Sequence, residues 1–519
     1  MSTDPAPPGQ EIDPESIETE IGQIARGAGL GLGGNIYLYF INFLFGIIVA
    51  RQIGADAFGY YTLGMTAVML LSQLASVGLD RGALRYISIK REDGDGSAVR
   101  QVILLSLGIG TVVSLIFAVV VGVFPQLFLQ LFHWTDKTYL LQLLPVFAVG
   151  LPFMTVGMIS VTGTQGFRTM RYRTLIASIT QPTTKLLVTL LMIVLLGATA
   201  LAPAIGFVSA RVVSAVLAVF FLWRLALKLP RAGGWQPGLT TELLRYSLPL
   251  LLSGVLIYLN GRTEIIVLGI YNQADASGIY NAALRLAGLT LIVLNAFSAI
   301  FSPLIADLHH RGEMKELEAL FKLVTRWIII VALPIFLVQF LFPEQLISLF
   351  GKDFIPGAPA LRILSLGVLI NFSTGAVALM LLMSGYSGLA MFNSFLTLLV
   401  AFGLDFLLIP RFGLMGAAVA GMLSIAAIHL VDLSEVWYLL GIHPYNRYTL
   451  RPFIAAAPAL LGGWLWSQWL PVNSLLQLSA ATIVVGLIYI AALMLIGWGE
   501  DDRMMMAALS KRIKRLVRR

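Results

Sequence analysis

The chain has 519 residues, of which 58% are hydrophobic and only 12% charged, about half the charged share of a soluble domain. It contains no cysteine, which excludes disulfides and thiol catalysis, and its five histidines are scattered without a metal-binding spacing. The net charge of +8 sits between long apolar stretches, where it reports membrane topology and an anionic ligand and speaks against nucleic acid.

Residues 1 to 16 are Pro-rich and acidic, the composition of a disordered tail. Ile17, Ile21 and Ile24 recur at helical spacing and predict a short interfacial helix. Together these form a cytoplasmic N-terminal segment over 1–27. Fourteen stretches long enough to cross a bilayer follow. Six of them, 29–50, 57–79, 99–123, 138–162, 174–196 and 200–223, make an N-lobe over 28–223. A basic linker over 224–243 leads to six more, 244–270, 281–305, 323–342, 358–382, 389–410 and 414–440, which make a C-lobe over 244–440. Two last spans, 451–470 and 478–497, occupy 441–498. The tail over 499–519 carries Leu509, Ile513 and Leu516 on one face among many Lys and Arg, the pattern of an amphipathic helix on an anionic membrane surface.

Of the 35 Lys and Arg residues, 26 fall on the N-terminal segment, the even-numbered loops and the C-terminal tail. Only Arg51, Lys137, Lys352 and Arg411 fall on odd-numbered loops. By the positive-inside rule both termini are cytoplasmic. The expectation is a multi-pass protein of the inner or plasma membrane.

Short motifs recur between the two sets of six. Ile41–Ala50 (INFLFGIIVA) echoes Leu259–Leu268 (LNGRTEIIVL), and the loop ADAFGYY from Ala55 to Tyr61 echoes ADASGIY from Ala274 to Tyr280. The turn TGTQG at 162–166 matches SGYSG at 384–388, and Gly206 and Ser209 match Gly421 and Ser424. Units of six spans have the same orientation, so their twofold axis runs along the membrane normal and a cavity forms between them. The fold class is therefore an all-α polytopic membrane protein with two parallel six-helix repeats plus two C-terminal helices.

Five cations fall inside spans: Lys185, Arg211, Arg262, Arg285 and Arg362. Such groups are expected to face protein or a watery cavity. Asn281, Arg285, Gly288 and Asn295 share one face of the eighth span, and Gln181, Lys185 and Thr189 one face of the fifth, beside Pro182, which predicts a kink. In the first span Asn35, Tyr39, Asn42 and Gly46 form a stripe, and the repeat carries Asn42 onto Asn260 and Gly46 onto Glu264. Asn260 and Glu264 are thus expected to face the lumen, with Arg262 less securely placed there. The deep acids are Glu264 and Asp405. The lumen is net cationic and suits a diphosphate or an acidic glycan. The competing reading of Arg285, Arg262 and Lys185 is a structural ion pair with Glu264 or Asp405.

No nucleophile constellation, carboxylate pair or P-loop stands out, and GLGLGG at 29–34 opens an apolar span rather than following a strand, so it reads as close helix packing. No cofactor is implied and the chain is read as a non-enzyme.

The Gly-rich first span, followed by ARQIGADAFGYYTLG at 50–64 and GLDRGALRYIS at 78–88, resembles the polysaccharide transport and oligosaccharide flippase branch of the multidrug/oligosaccharidyl-lipid/polysaccharide exporter superfamily. The resemblance implies a V-shaped pair of lobes that alternate access and carry an undecaprenyl-diphosphate-linked glycan from the cytoplasmic to the outer leaflet, in a monomer that works among membrane lipids beside a polysaccharide polymerase or glycosyltransferases. On that reading Arg285, Arg262, Lys185, Arg211, Asn281, Asn260 and Asn42 line the substrate site, Glu264 and Asp405 are ion-coupling groups, and the lobes rock about the linker between Arg224 and Glu242. The competing branches are the lipid-linked peptidoglycan precursor flippase and the multidrug/cation antiporters. A membrane glycan polymerase or ligase is the competing enzyme reading.

Overall fold

The computed structural model describes residues 14–131, 138–230, 234–271, 273–469 and 474–497. The first 13 residues and the basic tail, 498–519, lie outside them. A bilayer core offers the backbone no water, so an apolar chain must close its hydrogen bonds within helices. The first helix, α1, is Pro14–Ala75, followed by α2 (Leu79–Glu92), α3 (Gly96–Val123), α4 (Thr138–Gln165), α5 (Gln181–Leu196) and α6 (Leu201–Ala226). The second half comprises α7 (Leu239–Leu259), α8 (Thr263–Ile270), α9 (Ala274–Ala287), α10 (Leu291–His310), α11 (Met314–Leu341), α12 (Ala358–Thr374) and α13 (Ser387–Leu440). Two further helices, α14 (Arg451–Trp469) and α15 (Leu475–Ile496), end the described chain.

Eleven helical stretches among the described residues are long and apolar enough to cross a membrane. Two of them turn back at glycines with positive φ, Gly54 (78°) and Gly413 (53°), and each supplies two spans. The eleven stretches make thirteen apolar crossings among the described residues, and the less apolar α14 packs beside α15. The expected interfacial helix at Ile17 is the start of α1, continuous with the first span. ADAFGYY and ADASGIY, expected as loops, are the first turns of the second and eighth spans, because Gly54 makes the reversal before them and Gln273 ends the preceding turn.

Within the first half α4 packs on α3 and α6, and α5 on α6. Within the second, α13 packs on α8 and α12, with α11, α14 and α15 alongside. The halves meet where α1 crosses α9. A Cβ on Gly59 would collide with the Ala274 carbonyl, and one on Gly278 with the Ala55 carbonyl. These are the same pair of positions exchanged, 219 residues apart. Asn281 donates to Thr62 Oγ1 at 2.9 Å, again across 219 residues, so equivalent side chains meet each other on the axis. Small residues permit this backbone approach. Arg51 reinforces the seal by donating to the Leu349 carbonyl at 2.7 Å, and Phe58 packs edge-on against Phe354 with centroids 5.9 Å apart.

At the opposite end the halves touch where Gly78 and Gly82 of the first half take the Ser247 backbone and hydroxyl of α7 and Tyr86 packs on Tyr246. The described part of the linker, where the lobes are expected to rock, is tied to α3. Arg100 donates to the Ala226 and Leu229 carbonyls at 3.3 and 2.6 Å, and Gln101 and Gln236 exchange hydrogen bonds of 2.8 and 2.9 Å. The chain also breaks within spans, at Asn260–Arg262 in the seventh and at the 3-10 turn Gly288–Thr290 in the eighth. The Leu286 carbonyl at the second break accepts from Gln339 Nε2 at 2.7 Å, which keeps that break satisfied in the apolar interior.

The predicted disturbance at Pro182 takes the form of a π turn over Thr174–Thr180. Proline has no N–H for the Ser178 carbonyl, and the wider turn lets the Gln181 N–H reach Ile176 instead. Gly206 and Gly421, matched by the repeat, are both close-approach sites. A Cβ on Gly206 would strike the Thr189 hydroxyl, and one on Gly421 would lie 2.7 Å from the Tyr280 hydroxyl and 2.9 Å from Glu264 Oε1. Gly206→Ala is expected to cost about 1–3 kcal/mol by overpacking, read as a lower thermal unfolding midpoint in detergent.

Candidate functional site

Beneath the seal, side chains from α1, α5 and α9 converge. Lys185 donates to Asn42 Oδ1 and stands 4.1 Å from the centre of the Phe45 ring. Arg285 donates to Asn281 Oδ1 and to the Asn42 carbonyl, each at 3.3 Å, and Asn281 in turn donates to Thr62. Gly46 leaves room for the Arg285 guanidinium, since a Cβ there would sit 3.4 Å from Nη1. Arg211 lies 5.0 Å from the Phe207 ring centre and, with the Gln181 amide oxygen turned towards it, donates to that oxygen at 2.8 Å. Tyr61 is 1% exposed, and its hydroxyl has no hydrogen-bond partner among the described residues.

Ion pairs such as Lys90–Asp93, Arg168–Glu92, Arg311–Asp307 and Lys322–Glu318, with His443 near Glu318, lie away from this cluster. None involves Lys185, Arg211, Arg262 or Arg285. The structural ion-pair reading of these cations is therefore not what the geometry provides. Lys185, Arg211 and Arg285, each half-buried, are met by neutral groups.

Arg211 and Gln181 also line a cavity of about 730 Å³ that runs away from the seal between the halves. Its apolar wall includes Met69, Phe153, Met154 and Met158. Its mouth carries Arg81, Arg85 and Arg173 with one acid, Asp80. Arg85 stacks 4.2 Å from the Tyr246 ring centre, and Arg173 donates to Gln165 at 3.0 Å. Burial pushes the Asp80 carboxyl above the usual carboxylate range, against hydrogen bonds and charge from the Arg81 side. Sequence reasoning assigned these arginines to topology, although Arg81 and Arg85 sit four apart on one helical face.

The remaining predicted residues form a second group inside the second half. Asn260 pins the break of the seventh span by donating to the Ser394 carbonyl at 2.9 Å. Glu264, expected to face the lumen, is 7% exposed and lies against the Thr263 and Tyr280 hydroxyls. The break at 260–262 resets the helical phase, so the stripe carried over from the unbroken first span does not continue past it. Asp405 is fully buried, close to Glu264 and the Thr263 hydroxyl. Arg262 is half-buried at the break.

A family described as polysaccharide biosynthesis protein matches residues 24–309. The chain belongs to that family. Among curated proteins it is similar to the probable low-salt glycan biosynthesis flippase Agl15 of Haloferax volcanii, 22% identical over 48% of this chain and 53% of that one. It is also similar to stage V sporulation protein B of Bacillus subtilis, 23% identical over 76% of this chain and 80% of that one. The chain thus spans about half the length of the Haloferax protein. Among solved structures, a lipid II flippase MurJ in an inward closed conformation superposes with a TM-score of 0.70 at 13% identity, over 88% of this chain and 96% of that one. An inward-facing multidrug resistance MATE transporter superposes with a TM-score of 0.65 at 14% identity, over 77% and 94%. This family member has the fold of the multidrug/oligosaccharidyl-lipid/polysaccharide exporters and is a multi-pass membrane protein.

Proposed function

We propose that this family member is a flippase that moves a polyprenyl-diphosphate-linked oligosaccharide from the cytoplasmic to the outer leaflet by alternating access. The observation that carries the reading is the group of half-buried cations beneath the seal, Lys185, Arg211 and Arg285, which are met by neutral groups, with Arg211 also lining the cavity. A diphosphate supplies their counter-charge, and the arginine forks match its oxygens. The mouth of the cavity lies among the Lys- and Arg-rich segments, which the positive-inside rule assigns to the cytoplasm. The glycan would occupy the cavity past Arg81, Arg85 and Arg173 while the polyprenyl chain stays in lipid.

For the export stroke, the seal at Gly59 and Gly278 parts and the far end closes, with bending at Asn260–Arg262 and Gly288–Thr290. Glu264 and Asp405, with the Thr263 and Tyr280 hydroxyls, make an all-oxygen group suited to a proton or a hard cation such as Na⁺. Co-movement of this cation would couple transport to an ion gradient.

The test is leaflet movement of a fluorescent undecaprenyl-diphosphate oligosaccharide in proteoliposomes, beside the same glycan on a neutral lipid. Protein-dependent movement of the diphosphate form alone is expected. Formation or cleavage of glycosidic bonds in these vesicles, without movement, would favour a polymerase or ligase and overturn the reading.

A further inference from the structure

Away from the cavity, three guanidiniums converge on one aromatic ring in the turn between α13 and α14. Arg326 of α11 lies 5.6 Å from the centre of the Tyr448 ring, Arg447 lies 4.8 Å from it, and Arg451, the first residue of α14, lies 4.5 Å from it. Arg326 is only 2% exposed, whereas Arg451 is half-buried and Arg447 is open to solvent. The turn that carries the ring is fixed, because Asn446 Oδ1 accepts from the Tyr448 and Thr449 N–H groups at 2.9 and 3.1 Å. Arg447 donates to the Tyr448 hydroxyl at 2.6 Å, and Arg451 to the Gly497 carbonyl, also at 2.6 Å. The ring attracts each cation, but guanidiniums that share it repel one another unless an anion stands among them. Glu318, about two turns back on α11, is already taken by Lys322 at 2.6 Å. Neither Arg447 nor Arg451 joins an ion pair among the described residues.

We propose that this arginine cluster is the docking site for an acidic segment of the same chain, Glu500, Asp501 and Asp502, which lies outside the described residues. The bond from Arg451 to Gly497 sets the end of α15 beside the cluster. Gly497 has φ 85°, a conformation open to glycine that lets the chain leave the helix axis. The acids follow three to five residues later, so even a fully extended chain places them within about 18 Å of that carbonyl. A tether this short holds them at an effective concentration on the order of millimolar. Three carboxylates match three guanidiniums, and arginine pairs with carboxylate through a two-pronged fork. No other acid occurs between 498 and 519, so the triplet separates a docking segment from the basic amphipathic segment that carries Leu509, Ile513 and Leu516. Docking ties the end of α15 to α11 and α14, and it starts the basic segment at the membrane surface beside them.

The experiment is electron paramagnetic resonance of a nitroxide attached at Arg503→Cys, the only thiol in a chain without cysteine. The full-length protein is placed in nanodiscs of phosphatidylcholine alone, which offer the arginines no anionic headgroup. The otherwise native chain is expected to show an immobilised component. Glu500→Gln, Asp501→Asn and Asp502→Asn made together should abolish that component, and so should Arg447→Gln made with Arg451→Gln. A freely tumbling label in the otherwise native chain overturns the proposal, as does an immobilised label that survives neutralisation of the triplet. A label immobilised only once phosphatidylglycerol is added, with or without the triplet, assigns the cluster to a lipid phosphate and also overturns it. If the arginine variant does not fold, the triplet variant decides, because it changes no residue of the helices named above. These readouts are independent of lipid transport.

Discussion

Arg285→Ala is expected to reduce transport of the lipid-linked oligosaccharide by roughly 10- to 100-fold, the equivalent of losing a charge-assisted hydrogen bond of about 1.5–3 kcal/mol. Arg285 is the one cation under the seal that bridges both halves, since it donates to Asn281 on its own helix and to the Asn42 carbonyl of α1. Its loss removes a fork for phosphate and leaves the Asn281 and Asn42 oxygens with one donor fewer. The fold should survive, because Asn281 still donates to Thr62 and the glycine crossing is untouched. The measurement is the initial rate of leaflet movement at matched reconstitution, with the unfolding midpoint as a control. An unchanged rate would place the headgroup elsewhere, and the arginines at the cavity mouth would be the next candidates.

Gly59→Leu is expected to drive the protein out of the sealed conformation. A side chain at Gly59 has no space against the Ala274 carbonyl, and backbone cannot yield as a side-chain tip can. Even ordinary overpacking costs about 1–3 kcal/mol, enough to change a two-state population by roughly 5- to 100-fold. The absence of cysteine makes the readout direct. A Thr62→Cys reporter on the pseudo-symmetry axis carries the only thiol. It should resist a membrane-impermeant maleimide added from the sealed side in the otherwise native chain, and react quickly when Gly59→Leu is added. Equal labelling in both backgrounds would show that the crossing of α1 and α9 is not the seal.

Much of the fold could be read from the chain because a bilayer imposes one rule on every span. Apolar length fixed the helices, and ADAFGYY against ADASGIY located the two glycines that the structure brings together on the axis. What escaped was phase. Gly54 and Gly413 reverse the chain inside what the hydrogen-bond pattern treats as single helices, and the break at Asn260–Arg262 turned Glu264 into the second half instead of the lumen. The first span has no equivalent break, so a repeat argument could not foresee it. Within the site, Lys185, Arg211 and Arg285 were legible because a charge in an apolar span demands a reason. Arg81, Arg85 and Arg173 were not, because a basic residue near a span end already has a topological one. Tyr61 and Tyr280 occupy equivalent motif positions, yet one faces the cations and the other the acids, a difference set by packing rather than by pattern.

The central claim is that the cations beneath the seal hold the diphosphate of the lipid that moves. Its most direct test is a cryo-electron microscopy structure of the protein bound to undecaprenyl-diphosphate oligosaccharide. The account predicts phosphate density within hydrogen-bonding distance of Lys185, Arg211 and Arg285, with the sugars extending toward Arg81, Arg85 and Arg173. Phosphate density confined to the mouth or to the outside of the bundle, with the cluster beneath the seal unchanged, would contradict it.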